Sequence, residues 1–312
     1  MKELLYTCVT RILMLVLLPL VMFADANAQN ATYRKSAMEF RFGAGGSIFL
    51  GDLGGNFGKR KDAFLDLDFE TVRYSINASA KVNVRKWFAV RADFNHARVF
   101  GNDALAAEGF RRDRNLSFKS NLNEVSLISE VVMVNFLKLK KLTKLRTELY
   151  AFGGLGVLNF NPEAKLNGIW YELRPLGTEG QGLIAGTKPY RKVTGVIPMG
   201  LGIRKLINAT FTLGIELSMR KSFTDYIDDV SGRYYNNDVI REKRGHVAAE
   251  LSDRSLGGTT TSSGFRGNPN ENDNYAFLQV YLSKGISNQL VMNERQAFRK
   301  IGKKTYKCPK FE

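Results

Sequence analysis

The chain has few of the residues that build covalent cross-links and metal sites. Its 312 residues include two cysteines, Cys8 and Cys308, and two histidines, His96 and His246. Cys8 lies in a segment that we expect to be removed on export, so the mature protein cannot form an internal disulfide. In an oxidising compartment Cys308 is then buried, left as a free thiol, or paired with another chain.

A long apolar run is also missing after residue 28. No later stretch approaches about 18 continuous apolar residues, which excludes a transmembrane helix. Residues 1–28 have a charged opening, an apolar run over 12–23 and the sequence Ala-Asn-Ala at 26–28. These are the parts of a secretory signal peptide cleaved before Gln29. The alternative is a single membrane anchor, for which the run is short.

Acidic residues are outnumbered by basic ones. The chain has 30 Asp and Glu against 46 Lys and Arg, a formal net charge of +16. Such an excess can indicate nucleic-acid binding, but helix-turn-helix, zinc and RNA-binding motifs are absent, and an exported protein meets little nucleic acid. We predict no nucleic-acid partner. Acidic lipid headgroups or an acidic protein surface fit the charge better.

What the chain does have is strict alternation of apolar and polar residues. From Tyr74 to Phe94, apolar residues occupy every second position on both sides of Lys86-Trp87. A period of two predicts β-strands, and the short link predicts a hairpin. Similar alternation predicts about eight strands, the other six over residues 38–50, 123–136, 146–160, 196–204, 211–220 and 275–283. Pro198 weakens the sixth, because proline normally places a strand at a sheet edge.

The connections between these strands alternate in length. Long ones follow the first, third, fifth and seventh strands, over residues 51–72, 101–121, 161–194 and 221–274. Most predicted strands approach the 9–11 residues that a tilted strand needs to cross a bilayer. Short turns at one rim and long loops at the other are typical of outer-membrane barrels, whose short turns face the periplasm. Both mature termini are then periplasmic.

The polar face of the strands decides between a membrane barrel and a soluble one. A soluble, lipocalin-like barrel would carry apolar side chains inside, whereas one face here carries Lys81, Arg85, Arg91, Asp93, Glu124, Glu130, Glu216 and Arg220. Eight strands enclose a lumen that side chains fill, so these charges would pair and leave no wide channel. We predict an all-β fold, a transmembrane antiparallel β-barrel of about eight strands with long extracellular loops and a periplasmic C-terminal tail. The domains are a signal peptide at 1–28, the barrel at 29–284 and the tail at 285–312.

The long loop after the seventh strand begins with an acidic and aromatic motif, KSFTDYIDDVSGRYY. Its candidate functional residues are Phe223, Asp225, Tyr226, Asp228 and Asp229. The aspartates could bind a hard cation such as calcium, but their spacing is not that of an EF-hand. The preferred interpretation is that Phe223, Tyr226 and Ile227 pack the loop over the barrel mouth. The aspartates would then face water or pair with Arg220.

Catalytic chemistry has little support in the sequence. Some eight-stranded barrels modify lipids with a His and a Ser near the outer rim, and His96 with Ser129 is the conceivable pair. No third orienting group accompanies them, so we predict that the protein is not an enzyme and has no catalytic, cofactor-binding or metal-binding residues. The basic run at 111–114 is interpreted as a solvated or lipopolysaccharide-facing loop.

Beyond residue 285 the alternation stops and basic residues accumulate. The predicted partner-contact residues are Arg299, Lys300, Lys303, Lys304, Lys307, Cys308 and Lys310. A basic tail at the periplasmic rim is well placed to dock onto a partner. The alternative is a disordered segment that contacts only phospholipid.

Three motifs together resemble a known family. FLGDLGG after the first strand, ELSMRKSFTDYIDDVSGRYY around the seventh strand and YKCPKF near the end resemble the PorG-like outer-membrane β-barrel proteins of Bacteroidetes. The resemblance implies a part in type IX secretion, in some members also in gliding motility. It further implies that the barrel anchors a periplasmic ring, made of a lipoprotein and its partner, to the outer membrane. The alternative is a free-standing barrel with a structural or surface-ligand-binding role. Outer-membrane lipid and lipopolysaccharide are expected contacts in both cases.

Overall fold

The computed structural model describes residues 38–53, 70–85, 87–106, 109–133, 146–183, 187–208, 210–256 and 264–286. All of them belong to one unit, Ser36–Glu312. The predicted signal peptide and the tail beyond Ile286 lie outside the described residues. Within the described part of the chain, no helix is long and apolar enough to cross a membrane.

These described ranges contain nine strands: the eight that the alternation predicted and one more. They are β1 Met38–Leu50, β2 Arg73–Asn83, β3 Phe88–Asn102, β4 Ser117–Val132, β5 Thr147–Leu166, β6 Ile169–Glu172, β7 Val193–Leu206, β8 Phe211–Ser222 and β9 Asn274–Ile286. The short β6 was not predicted; it pairs with the end of β5 as a hairpin. The early part of β4 was also missed, because Lys119, Asn121 and Asn123 replace the apolar residues on its outer face.

Eight of the strands close into an antiparallel barrel. Each pairs with its neighbour along the chain, β5 pairs with β7 past the β6 hairpin, and β1 pairs with β9. Phe42 of β1, for example, lies opposite both Ala78 of β2 and Leu282 of β9. Closure leaves none of these eight strands with a free edge.

Pro198 occupies a strand that is paired on both sides, which the edge rule did not predict. Its register partner in β8 is Arg220. On the other side, the β5–β7 ladder is interrupted between the Gly153–Met199 and Gly156–Val196 pairs. Proline has no N–H to donate. The ladder between β5 and β7 is therefore interrupted beside Pro198, whereas the ladder between β7 and β8 is continuous, and β7 remains in the barrel wall.

The side chains are arranged inside out relative to a soluble protein. Outward positions carry exposed apolar residues, such as Phe42 at 70% and Val125 at 61% exposure, whereas inward Arg41 and Glu130 are 2% and 0% exposed. An apolar outer wall around a charged interior is the arrangement of barrels that face lipid. The prediction of a transmembrane antiparallel barrel of eight strands is confirmed.

The helices of the described residues lie in the connections between strands. A 3₁₀ turn covers Asp103–Leu105, and three helices follow: α1 Gly109–Arg114, α2 Asn237–Arg244 and α3 His246–Ser252. Asn236 caps α2 by accepting hydrogen bonds from the backbone amides of Asp238 and Val239. Gly245, with φ of 91°, makes the sharp link to α3 that a residue with a side chain would resist.

The two rims differ in part as predicted: two of the three links predicted to be short are short, whereas the third, residues 133–146, is as long as the connection 103–116 at the other rim. Met38 pairs with Ile286, so the first strand begins and the last ends at one rim, the rim that also holds the short links 84–87 and 207–210. The second long loop was predicted too long, because strand pairing continues to Asn102 and resumes at Ser117. Arg85 was assigned to the inner face, but it is exposed, since β2 ends at Asn83 and the turn points its side chains to water.

Candidate functional site

The lumen is crossed by a cluster of buried ion pairs, the lumen cluster, formed by Arg41, Arg91, Arg204, Glu130 and Glu216. Glu130 Oε1 lies 3.2 Å from Arg41 Nη1 and 2.5 Å from Arg91 Nη1, and its Oε2 lies 2.7 Å from Arg204 Nη1. Glu216 lies 3.0 Å from Arg41 and 2.5 Å from Arg91. Each carboxylate thus bridges arginines from different strands, which ties opposite walls of the barrel together.

Further pairs extend the cluster toward both rims. Lys81 Nζ lies 2.6 Å from Glu39, and Arg204 Nε lies 2.8 Å from Glu148. Toward the long-loop rim, Arg220 Nε lies 3.2 Å from Glu124. Apart from Arg85, every predicted lumen charge is buried inside. Arg204 was not in the predicted set, whereas the alternation of the first strand already places Arg41 on the polar face with Glu39.

Two glycines make room for tyrosines in the cluster. Tyr150 donates a hydrogen bond of 2.7 Å to Glu216, and its hydroxyl lies 2.8 Å from that of Tyr281. A Cβ atom at Gly202 would lie 2.2 Å from the Tyr150 ring, and one at Gly214 would lie 2.4 Å from the Tyr281 ring. Charges that are mutually paired and packed against rings favour a filled interior over an aqueous channel.

At the long-loop rim the connecting segments form a folded layer, the loop cap, which comprises residues 51–53, 103–106, 109–116, 173–183, 223–256 and 264–273. An apolar core joins these segments to the upper barrel and includes Phe49, Leu53, Phe118, Ile227, Val230 and Leu251. Ile240, Ala248 and Ala249 form a second core between α2 and α3. The sequence predicted only long loops here, because the contacts join segments far apart in the chain.

The acidic motif is placed differently from its preferred interpretation. Asp225, Asp228 and Asp229 are buried instead of facing water, and Arg220 pairs with Glu124 instead of with an aspartate. Phe223 was expected to pack over the mouth but is 50% exposed, while Ile227 is fully buried. The physical reason lies in the loop amides, which have no sheet partner and need other acceptors.

The two adjacent aspartates act as such acceptors. Asp228 accepts hydrogen bonds from the amides of Leu53, at 3.2 Å, and Val230, at 2.9 Å. Asp229 accepts one of 2.7 Å from the Tyr190 hydroxyl and lies 3.8 Å from Arg266. These contacts hold the motif to other loop segments. Among the described residues, no three His, Cys, Asp or Glu side chains are grouped as metal ligands.

The carboxyl groups of the loop cap are strongly perturbed. Burial raises the pKa of Asp225 to about 8, opposed by the Ser231 side chain and reinforced by nearby Asp52. Burial raises the pKa values of Asp228 and Asp273 well above the ordinary range, reinforced for Asp228 by nearby Asp273 and for Asp273 by nearby Asp225. A pKa of about 8 keeps Asp225 largely protonated at neutral pH, and a protonated carboxyl is a poor ligand for a hard cation.

The basic run at 111–114 also differs from its prediction. Arg114 is buried and pairs with Asp103, with nitrogen–oxygen distances of 2.7 and 2.8 Å. It also donates to the backbone carbonyls of Asp52, at 2.7 Å, and Arg266, at 2.5 Å. Arg112 is exposed as expected. Arg114 therefore joins three segments of the loop cap, which no local sequence pattern indicates.

The conceivable His–Ser pair is not assembled. His96 lies opposite Asn123 on β4, whereas Ser129 lies opposite Val90. The six residue steps from Asn123 to Ser129 span about 20 Å at strand spacing. His96 instead makes a 2.8 Å contact from Nδ1 to Asn123 and a 3.3 Å contact from Nε2 to Tyr74. The predicted partner-contact residues of the tail, Arg299 to Lys310, lie outside the described residues and remain a prediction.

Solved structures similar to this chain include several outer-membrane proteins, at low scores. The chain is similar to Neisserial surface protein A, with 8% identity, a TM-score of 0.37 and coverage of 81% of this chain and 99% of that one. It is also similar to the outer membrane protein OprG from Pseudomonas aeruginosa, with 8% identity and a TM-score of 0.35; the match covers 83% of this chain and 100% of OprG. A major outer membrane protein from Thermus thermophilus gives 9% identity, a TM-score of 0.35 and coverage of 80% and 99%.

These values are low, so the barrel assignment rests on the strand registers and on the inside-out burial of this chain. No curated protein matches the chain. One family model does match, over residues 11–250, and it is described as a domain of unknown function, DUF6089. That match covers well over half of the 312 residues. The chain therefore belongs to the DUF6089 family.

Proposed function

We propose that this protein is an outer-membrane component of a type IX protein secretion apparatus, of the kind linked to gliding motility, and that it anchors a periplasmic ring to the membrane. The observation that carries the proposal is a lipid-facing barrel whose interior is occupied by the lumen cluster. Such a barrel offers no conduit for a secreted protein. Its role in a secretion machine is then that of an anchor, as the resemblance to PorG-like proteins implies.

The proposed orientation follows from the two rims. In outer-membrane barrels the short turns face the periplasm. Met38 and Ile286 pair at the short-turn rim, so both mature termini would be periplasmic and the loop cap would face outward. The basic tail beyond Ile286 would then begin on the side where the ring lipoprotein and its partner lie.

The tail is the proposed dock, with Arg299, Lys300, Lys303, Lys304, Lys307, Cys308 and Lys310 at the contact. Exposed ion pairs contribute only about 0–1 kcal/mol each, so many contacts would have to act together. The test is to truncate the chain after Ser287 and to measure insertion and co-purification with ring proteins. Cys308→Ser, compared on non-reducing gels, asks whether a disulfide joins the partners. A truncated barrel that inserts and retains its partners in full yield would exclude the tail as the dock.

The experiment that tests the function itself is deletion of the gene, followed by quantification of secreted proteins and surface gliding. Loss of secretion that is restored by the wild-type gene supports the proposal. A second candidate is a free-standing barrel with a structural or surface-ligand-binding role, which the folded loop cap favours. Unchanged secretion together with altered surface binding or a weakened envelope would support that candidate and contradict the first.

A further inference from the structure

The outer wall of β2 and β3 carries a cationic and aromatic surface, the wall patch. It is formed by Tyr74, His96, Arg98 and Phe100 and by Arg73, the first residue of β2, whose guanidinium group lies over the Phe100 ring. The Arg73 guanidinium carbon lies 4.2 Å from the centre of the Phe100 ring, and that of Arg98 lies 5.5 Å from the centre of the Tyr74 ring. All five side chains are partly or largely exposed. Two cations thus lie on two rings at the barrel surface.

Within the part of the chain that the structure describes, neighbouring groups orient the patch without neutralising it. Arg98 donates through Nε to Asn121, at 2.9 Å, and Arg73 donates through Nη1 to two backbone carbonyls, at 2.8 Å. His96 contacts Asn123 and Tyr74, both uncharged. The hydrogen bonds that the structure shows for these three side chains therefore involve no carboxylate. The nearest comparable cation on β4, Lys119, differs because it pairs with Glu163 at 3.0 Å.

The patch lies at the upper boundary of the lipid-facing band. One step lower on the same strands, Ile76 and Phe94 are exposed apolar residues, and Val125 on β4 continues the band. Level with the patch, the outer face of β4 is polar at Asn121 and Lys119, which lie opposite Arg98 and Phe100. Aromatic rings and arginines at this height are typical of the zone where acyl chains meet headgroups.

We infer that the wall patch binds the phosphorylated headgroup of lipid A in the outer leaflet, with its acyl chains against the apolar band below. This inference rests on the proposed outer-membrane orientation, which turns the long-loop rim toward lipopolysaccharide. Arginine suits the task because its planar guanidinium gives paired hydrogen bonds to phosphate oxygens. The adjoining rings keep both guanidinium groups at the wall, where a headgroup phosphate lies.

The test measures binding of lipid A to the full-length barrel in detergent by native mass spectrometry. The variants are Arg73→Gln with Arg98→Gln, and the matched control Lys284→Gln. Lys284 also faces outward over an aromatic ring, 5.9 Å from the Phe211 centre, but at the opposite rim. We expect the double variant to weaken binding by about tenfold or more, the loss typical of charged hydrogen bonds. The control should bind as the wild type does.

Several results would overturn the inference. The double variant could bind lipid A as tightly as the wild type does, or Lys284→Gln could weaken binding as much as the double variant does. The wild type could also bind dephosphorylated lipid A or phosphatidylglycerol as tightly as it binds lipid A. A heat-modifiable gel shift confirms folding of each variant. If the double variant does not fold, two measurements still decide the question: binding of lipid A by the single variant Arg98→Gln, and binding of dephosphorylated lipid A by the wild type. Secretion is not part of this assay, so failure of the secretion role leaves the binding result intact.

Discussion

Replacing Glu130 with glutamine removes the carboxylate that joins three arginines in the lumen. Glu130 is fully buried and lies within 3.2 Å of Arg41, Arg91 and Arg204. Removing one partner of a buried ion pair costs about 3–5 kcal/mol, because the other charge stays buried without compensation. Arg41 and Arg91 keep Glu216, so we expect a loss of about 3 kcal/mol in the free energy of unfolding, at the low end of that range.

The assay is urea unfolding of the barrel in lipid vesicles, followed by the fluorescence of Trp87 and Trp170. The matched control is Glu172→Gln, which removes an exposed pair with Lys192, 3.0 Å away. Exposed pairs contribute about 0–1 kcal/mol, so the control should unfold almost as the wild type does. If the free energy of unfolding of the Glu130→Gln barrel lies within about 1 kcal/mol of the wild-type value, the argument that these pairs stabilise the interior is refuted.

Three further changes test the loop cap and the lumen packing. Burial raises the pKa of Asp225 to about 8 from an ordinary value of 3.8; the folded state then binds the extra proton, so the contribution of this group to thermal stability should be largest below about pH 4 and should fall between about pH 4 and pH 8. Asp225→Asn should make this fall smaller, and an unchanged fall would contradict the assignment. Gly202→Ala should destabilise the barrel by about 1–3 kcal/mol in urea through its clash with the Tyr150 ring, whereas Gly153→Ala, whose Cβ would meet one atom at 3.9 Å, should be tolerated. Arg114→Gln should speed proteolysis of the loop cap while the heat-modifiable gel shift stays unchanged; equal cleavage rates would show that Arg114 does not hold the segments together.

The barrel wall was predictable because its rule is local. A side chain in a strand points to one face or the other with a period of two, so the sequence from Tyr74 to Phe94 is enough to predict a hairpin and its two faces. Charge on one face and apolar residues on the other then select a lipid-facing barrel over a soluble one. The same rule failed at Lys119 and Asn121, where the strand leaves the apolar band: its outer face becomes polar, while Phe118 and Leu122 on its inner face are buried and apolar.

The partners of individual charges, in contrast, were decided by the closed barrel. Alternation places Glu130 inside, but only the registers of several strands bring it to Arg41, Arg91 and Arg204. The loop cap depends even more on tertiary structure. Asp103 pairs with Arg114, and Asp229 lies near Arg266, through loop contacts that have no sequence period. The sequence by itself determined which face of each strand is charged, because that is a property of neighbouring residues. Only the tertiary structure decided which charges meet and which aspartates are buried, because those contacts depend on strand order, register and loop packing across the whole barrel.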